Sequence, residues 1–442
     1  MPLPPVTVQA PSSKSLSHRA LICAALAPGV SELTGILESD DTRRTMACFM
    51  ACGAQFFPAG SILKVAGVGG RPQGGAHDPA DLDVHESGTT CRLMTAVAAA
   101  GTGRFRIHGA PRMHERPIGS LAKALAGQDV RFEWEGRKGF PPFVMDTAGL
   151  PGGTIAIDAE ESSQYLSGLL LAAPLAQAET VLELAGSKVV SWPYVSLTLQ
   201  AMEDFGATFA AEVNDGHAWS FAPWRELTSV APGRVRFRVK PGGYKPICLR
   251  VEGDWSNASY LLAAGAVGPR PVRIKGLRPD SLQGDRAILD ILARMGAGVA
   301  WDHDLVTVSP APLRGVAVDM ASCPDLVPTV AVLAALAQGE TVISGAAHLR
   351  IKECDRLAAP ARELEKIGAR AEVLDDGLRI TPQPVSPAAR AEFSTYGDHR
   401  MAMSLSILTL AGVRVALDDR DCVKKSFPGF WAEWAKIAEA PA

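Results

Sequence analysis

The sequence predicts an α/β protein of two domains, each built from three similar units of two helices and several strands. Three observations carry that expectation. The 442 residues are too many for one ordinary core. A helix that ends in glycine and gives way to a β-rich run recurs along the chain. A second helix type, rich in Ala and Leu and opened by hydroxyl or acidic residues, alternates with the first.

The glycine-ended helices are MACFMACGAQFF (46–57), LQAMEDFGATFA (199–210), ILARMGAGVA (291–300) and LEKIGARAEV (364–373). In each, the helix-period apolar set stops at glycine, which suits the left-handed position after a helix, and strand chemistry follows. The segment Leu125 to Val130 is a weaker fifth copy. The second type begins near Ser15, Thr89, Ser162, Ser256, Asp325 and Asp398. These starts lie about 70–90 residues apart and so imply six units. The widest gap falls between the third and fourth. It holds Val213 to Tyr244, which reads as irregular and charge-rich, and the chain is expected to change domain soon after it. The domains are accordingly drawn as residues 1–12 plus 252–442 and residues 13–251.

Composition excludes several classes. Apolar residues make up 47% and charged residues 21%, the profile of a globular protein in water. A net charge of −3 gives no reason to expect nucleic acid or an anionic membrane as partner. The N-terminus lacks a basic stretch followed by an apolar run, and the apolar stretch Leu326 to Ala337 is short and broken by proline. The eight cysteines show no metal-ligand spacing. Buried, reduced thiols in a cytoplasmic protein are expected.

The polar residues gather at the starts of the second helix type. Helix N-termini expose free N–H groups and a partial positive charge, so they attract anions. PSSKSLSHRA places Lys14, Ser15 and Arg19 at one start, and HESGTTCRLM offers Gly88 and Thr89, with Arg92 one turn on. GAPRMHERPIG holds Arg112 and Arg116, ESSQYLSG presents Ser162, Ser163 and Gln164, and SWPY adds Ser191 and Tyr194. HLRIKECDR carries Lys352, Glu353, Asp355 and Arg356, YGDHRMAM carries Asp398, His399 and Arg400, and CVKKSFP carries Lys425. Each motif alone also reads as caps, turns or surface ion pairs. Their convergence on one kind of helix start favours a site for anions.

PSSKSLSHRA, ESGTTCR, PRMHERPIG, SSQYLSGLL, VEGDWSNASY, IKECDR and GDHRMAMS, in this order from about Lys14 to Pro428, resemble the motif series of the 5-enolpyruvylshikimate-3-phosphate synthase family of enolpyruvyl transferases. The resemblance implies an inside-out α/β barrel of three βαβαββ repeats per domain, with the active site in the interdomain cleft. It implies phosphoenolpyruvate binding by Lys14, Gly88, Thr89, Arg116, Gln164, Arg356, Arg400 and Lys425. It implies shikimate 3-phosphate binding by Lys14, Ser15, Arg19, Ser162, Ser163, Gln164, Ser191, Tyr194, Asp325, His348 and Lys352. Asp325 and Glu353 would be the acid–base pair, with Lys14 assisting. No cofactor or metal is implied. The partners would be the two small molecules alone, acting on a cytoplasmic monomer.

Three positions depart from the family pattern: Ser12, Glu86 with Ser87, and His348. Glu86 bears on the phosphoenolpyruvate pocket, where a free carboxylate would repel the substrate. It is therefore expected to be paired, with Arg112 or Arg116, or turned away. A UDP-N-acetylglucosamine enolpyruvyl transferase is the rival enzyme, but the loop at 109–119 lacks the cysteine expected there. An inactive anion-binding relative is the other alternative, and it should have lost Lys14, Asp325 or Glu353.

Overall fold

The structure is a computed structural model that describes residues 3–228, 230–384 and 390–439. The outermost ends of the drawn domains lie outside these residues. The chain forms two compact units, one of Met1–Ser13 with Glu252–Ala442 and one of Lys14–Val251. Ser13 thus sits with the first unit, not the second. Its N–H donates to Glu252 O at 2.8 Å and its hydroxyl to Gln283 Oε1 at 3.3 Å.

Two helix classes alternate. One comprises α1 (Lys14–Leu26), α3 (Gly88–Ala99), α5 (Gln164–Ala172), α7 (Trp255–Val267), α9 (Val327–Ala335) and α11 (His399–Ser406). These are buried nearly all round, α7 from Trp255 through Ala266. Such helices must lie inside a unit rather than on it. In the first unit α9 packs on α7 and α11, and in the second α3 packs on α5. The other class comprises α2 (Asp40–Ala51), α4 (Gly119–Ala126), α6 (Trp192–Asp204), α8 (Ile288–Met295), α10 (Ala358–Glu365) and α12 (Phe430–Ala438). Most of these keep an exposed face.

The glycine stops are where the sequence puts them. Gly53, Gly206, Gly296 and Gly368 all have φ between +74° and +106°, the left-handed region that glycine enters at little cost. In the weaker copy after α4, Asp129 takes that conformation instead (φ +62°).

Strands join the helices into βαβαββ repeats. In one, Ala80–His85 pairs parallel with Gly103–Gly109, which pairs antiparallel with Phe143–Thr147, and Arg131–Trp134 forms the edge. The same order recurs in sheets built on Val6–Gln9, Ala317–Asp319 and Cys248–Arg250. The stretch Val213 to Tyr244, expected to be irregular, instead contributes to a five-stranded sheet through Phe209–Asn214, Trp219–Ala222 and Val235–Val239. Val235, Phe237 and Val239 face inward, and the arginines between them face outward. There Arg236 pairs with Glu212 at 2.6 Å, and Arg238 pairs with Glu179. The charges that suggested a loop are cross-strand ion pairs. No helix among the described residues is long and apolar enough to cross a membrane.

Candidate active site

In the unit Lys14–Val251, hydrogen bonds tie five helix starts together. Lys14, the first residue of α1, pairs with the buried Asp41 of α2 at 3.2 Å. Ser87 caps α3, its hydroxyl accepting from the N–H of Thr90 at 3.2 Å. That cap costs about 1 kcal/mol to lose in comparable helices. A hydroxyl chain runs on from Ser87 through Thr90 (2.7 Å) and Thr45 (2.8 Å) to Nδ1 of His18 (2.7 Å). Burial pushes His18 down to about 3, against the opposing pull of Asp41, so it is neutral at physiological pH. Arg19 is almost fully buried and donates to Thr198, to Ser15 O and to Tyr194 O, at 2.8, 2.8 and 2.7 Å. It thereby fixes the starts of α1 and α6 to one another. Burial lowers its pKa to about 10, with Tyr194 and Cys23 opposing, so it keeps its charge.

The starts of α3 and α5 meet through Gln164, whose amide nitrogen donates to Thr89 Oγ1 at 2.9 Å and whose carbonyl accepts from Arg92 at 3.1 Å. Ser162, Ser163 and Ser191 are buried. Ser191 precedes α6 in the left-handed conformation, φ +54°. Arg116 is 6% exposed and donates to the backbone carbonyl of Glu86 at 3.4 Å. Its guanidinium lies against Gly88, where an added Cβ would sit only 2.5 Å from Nη2. The sequence reading gave Gly88 the role of admitting a ligand, but the backbone here also admits Arg116. Arg112 pairs with Glu115.

In the other unit a second cluster is centred on Arg356. This buried guanidinium grips Asp398 through Nε (2.7 Å) and Nη2 (3.1 Å), and it reaches Asp325 at 3.0 Å and Glu353 at 2.9 Å. Burial alone would lower its pKa, but Asp398, Glu353 and Asp325 outweigh that and the net direction is upward. Asp398 also caps α11 by accepting from the N–H of Arg400 at 2.9 Å. Arg400 holds the second oxygen of Asp325 at 2.7 Å and touches Ser256 and Tyr260 of α7. Lys425 lies 3.7 Å from Glu353. His348 and Lys352 sit on and just after the turn Ala347–Ile351, with His348 buried.

Both candidate acid–base residues are thus held by cations. Each unit gathers positive side chains and helix N-termini, the equipment for phosphate and carboxylate groups. The sequence motifs include Arg92 and Asp398 without a role for either, and they do not single out Asp41 or Tyr260. Asp41 stands in an ordinary acidic first turn, and only its partner Lys14 marks it out. Among the described residues no group of three or more His, Cys, Asp or Glu is arranged to hold a metal ion. Six cysteines are buried, whereas Cys422 is half-buried and Cys248 exposed, against the expectation that all are buried.

Comparison with solved structures defines the class. The chain superposes on an EPSP synthase from Acinetobacter baumannii with a TM-score of 0.74 and 26% identity, covering 98% of this chain and 95% of that one. It shares its fold with the enolpyruvyl transferase NikO from Streptomyces tendae, at TM-score 0.72 and 19% identity, over 98% and 94% of the two chains. The fold is that of the enolpyruvyl transferases. The family model for EPSP synthase (3-phosphoshikimate 1-carboxyvinyltransferase) matches residues 6–434. The 3-phosphoshikimate 1-carboxyvinyltransferases of Thiobacillus denitrificans and Mannheimia haemolytica are 40% and 38% identical to the chain, each over 98% of it and 96% of the relative. The chain belongs to the EPSP synthase family.

Proposed function

We propose that the chain transfers the enolpyruvyl group of phosphoenolpyruvate to the 5-hydroxyl of shikimate 3-phosphate, releasing phosphate, in the shikimate route to chorismate and the aromatic amino acids. The observation that carries this reading is the Arg356 cluster. It joins two carboxylates, Asp325 and Glu353, to two arginines, in a chain of this family. Lys14, Gly88, Thr89, Arg116, Gln164, Arg356, Arg400 and Lys425 bind phosphoenolpyruvate. Lys14, Ser15, Ser162, Ser163, Gln164, Ser191, Tyr194, Asp325, His348 and Lys352 bind shikimate 3-phosphate, with Arg19 fixing Ser15 and Tyr194.

Asp325 accepts the proton of the attacking hydroxyl as its oxygen bonds to the enol carbon. A proton is delivered to the methylene carbon, making a methyl group, and a tetrahedral intermediate forms. Loss of phosphate and of one methyl proton re-forms the carbon–carbon double bond, now in an enol ether. Glu353, with Lys14, handles the carbon-bound proton. The cations stabilise the departing phosphate. The enzyme works as a cytoplasmic monomer on small molecules alone, without nucleic acid, metal or cofactor.

The UDP-sugar reading is disfavoured by the loop at 109–119. Its Pro111–Glu115 turn has buried Met113 and no cysteine. Nearby Cys91 is a poor nucleophile, because burial pushes its thiol up to about 11, with Arg92 and Arg116 opposing. Phosphate release decides the matter. It is expected with phosphoenolpyruvate plus shikimate 3-phosphate and not with phosphoenolpyruvate plus UDP-N-acetylglucosamine. The reverse pattern would establish the rival enzyme, and no release with either would establish an inactive relative.

A further inference from the structure

Arg92 is a buried arginine that makes few polar contacts. It is 3% exposed, yet no carboxylate among the described residues is within ion-pair reach of it, and its Nε has no hydrogen-bond partner. Arg356, equally buried, has three carboxylates. Arg19 has three oxygen acceptors. Leaving a buried cation uncompensated is strongly unfavourable, so packing alone gives a poor reason for Arg92. Its contacts are the Gln164 carbonyl at 3.1 Å and the face of Tyr165, 5.8 Å from the ring centroid. Tyr165 in turn donates to Pro117 O at 2.7 Å, on the segment that carries Arg116.

The chemistry of this trio is directional. A guanidinium has five donors and no acceptor, so it must face the oxygen of the Gln164 amide and never the nitrogen. The nitrogen is then turned to Thr89, which accepts one of its two N–H groups at 2.9 Å. The second N–H stays available. A flipped amide would present lone pairs instead, and these repel phosphate and carboxylate oxygens.

We infer that Arg92 is a positioning residue for the reaction. It locks the Gln164 amide with its oxygen held and one N–H group left for the bound anions. This rests on the reading of Gln164 as a phosphoenolpyruvate contact.

A double-mutant cycle tests it. Arg92→Met is expected to raise the KM for phosphoenolpyruvate about tenfold with kcat changed less than threefold. Arg92→Lys, which keeps a donor and the charge, is expected to stay within about threefold of wild type. In a Gln164→Ala background, Arg92→Met should change KM less than twofold. An additive cycle, with the tenfold loss repeated in that background, overturns the inference, and so does an unchanged KM in Arg92→Met. If Arg92→Met does not fold, judged by circular dichroism, Arg92→Gln replaces it in the cycle with the same criterion. Wild-type protein that releases no phosphate from the two substrates would refute the functional reading itself. Active wild type with an additive cycle refutes only the role of Arg92.

Discussion

Asp325 is gripped by Arg356 and Arg400, one on each oxygen, so its charge does two things. On the proposed function it would accept the proton of the attacking hydroxyl, and it would offset two cations that phosphoenolpyruvate otherwise meets bare. Asp325→Asn should therefore lower turnover by at least about a hundredfold, the usual scale of an acid–base contribution. Phosphoenolpyruvate should bind at least as tightly to that variant, because the cations are less neutralised. Glu353→Gln should show a similar turnover loss with shikimate 3-phosphate still bound. Steady-state kinetics with equilibrium binding check both variants, and near-normal turnover in either removes that residue from its role. Glu86 is a contrasting acid. Its backbone carbonyl accepts from Arg116 at 3.4 Å. Glu86→Gln should change the KM for phosphoenolpyruvate little. A tenfold tightening, about 1.4 kcal/mol, would show that the carboxylate faces the substrate.

Helix starts were the most legible element in the sequence. All six inner helices begin within two residues of their predicted starts, and Ser87, Asp254 and Asp398 cap three of them. What the sequence hid was pairing at a distance. Arg92 finds Gln164 72 residues away, and the outward arginines of Val235–Val239 find acids on neighbouring strands. Gly88, in the first turn of α3, shows how such packing constrains an element. Alanine there would press on the tip of a flexible side chain, so Gly88→Ala should fold with little loss of stability. The displaced Arg116 should raise the KM for phosphoenolpyruvate severalfold, and an unchanged KM would separate Arg116 from that substrate. The joint between α1 and α2 makes a second prediction. His18 titrates near 6.5 when unfolded and at about 3 in the fold. Between those values the unfolded chain binds the extra proton, so stability is full above pH 6.5 and falls as pH drops toward 3. From pH 6.5 to 5 the loss is about 2 kcal/mol. Denaturant unfolding at those two pH values should show a smaller loss in His18→Asn by about that amount, and equal losses would contradict a neutral buried imidazole.

The whole molecule divides its cations by unit. Lys14, Arg92 and Arg116 belong to the unit Lys14–Val251, and Arg356, Arg400 and Lys425 belong to the other. If phosphoenolpyruvate is held by members of both sets, neither unit can complete the site alone. The chain crosses from one unit to the other only twice, after Ser13 and after Val251. Ser12 bridges to Gly253, and Gln283 binds both Ser13 and Glu252, so the two crossings are fastened side by side within the first unit. Adding both substrates should compact the protein, and neither alone should do so fully. Solution scattering is the measurement. A radius of gyration that falls only with both ligands, and a fall that weakens as salt screens the charges, are the expected results. The same radius with and without ligands would mean that the two clusters do not serve one pair of substrates through a movement of the units.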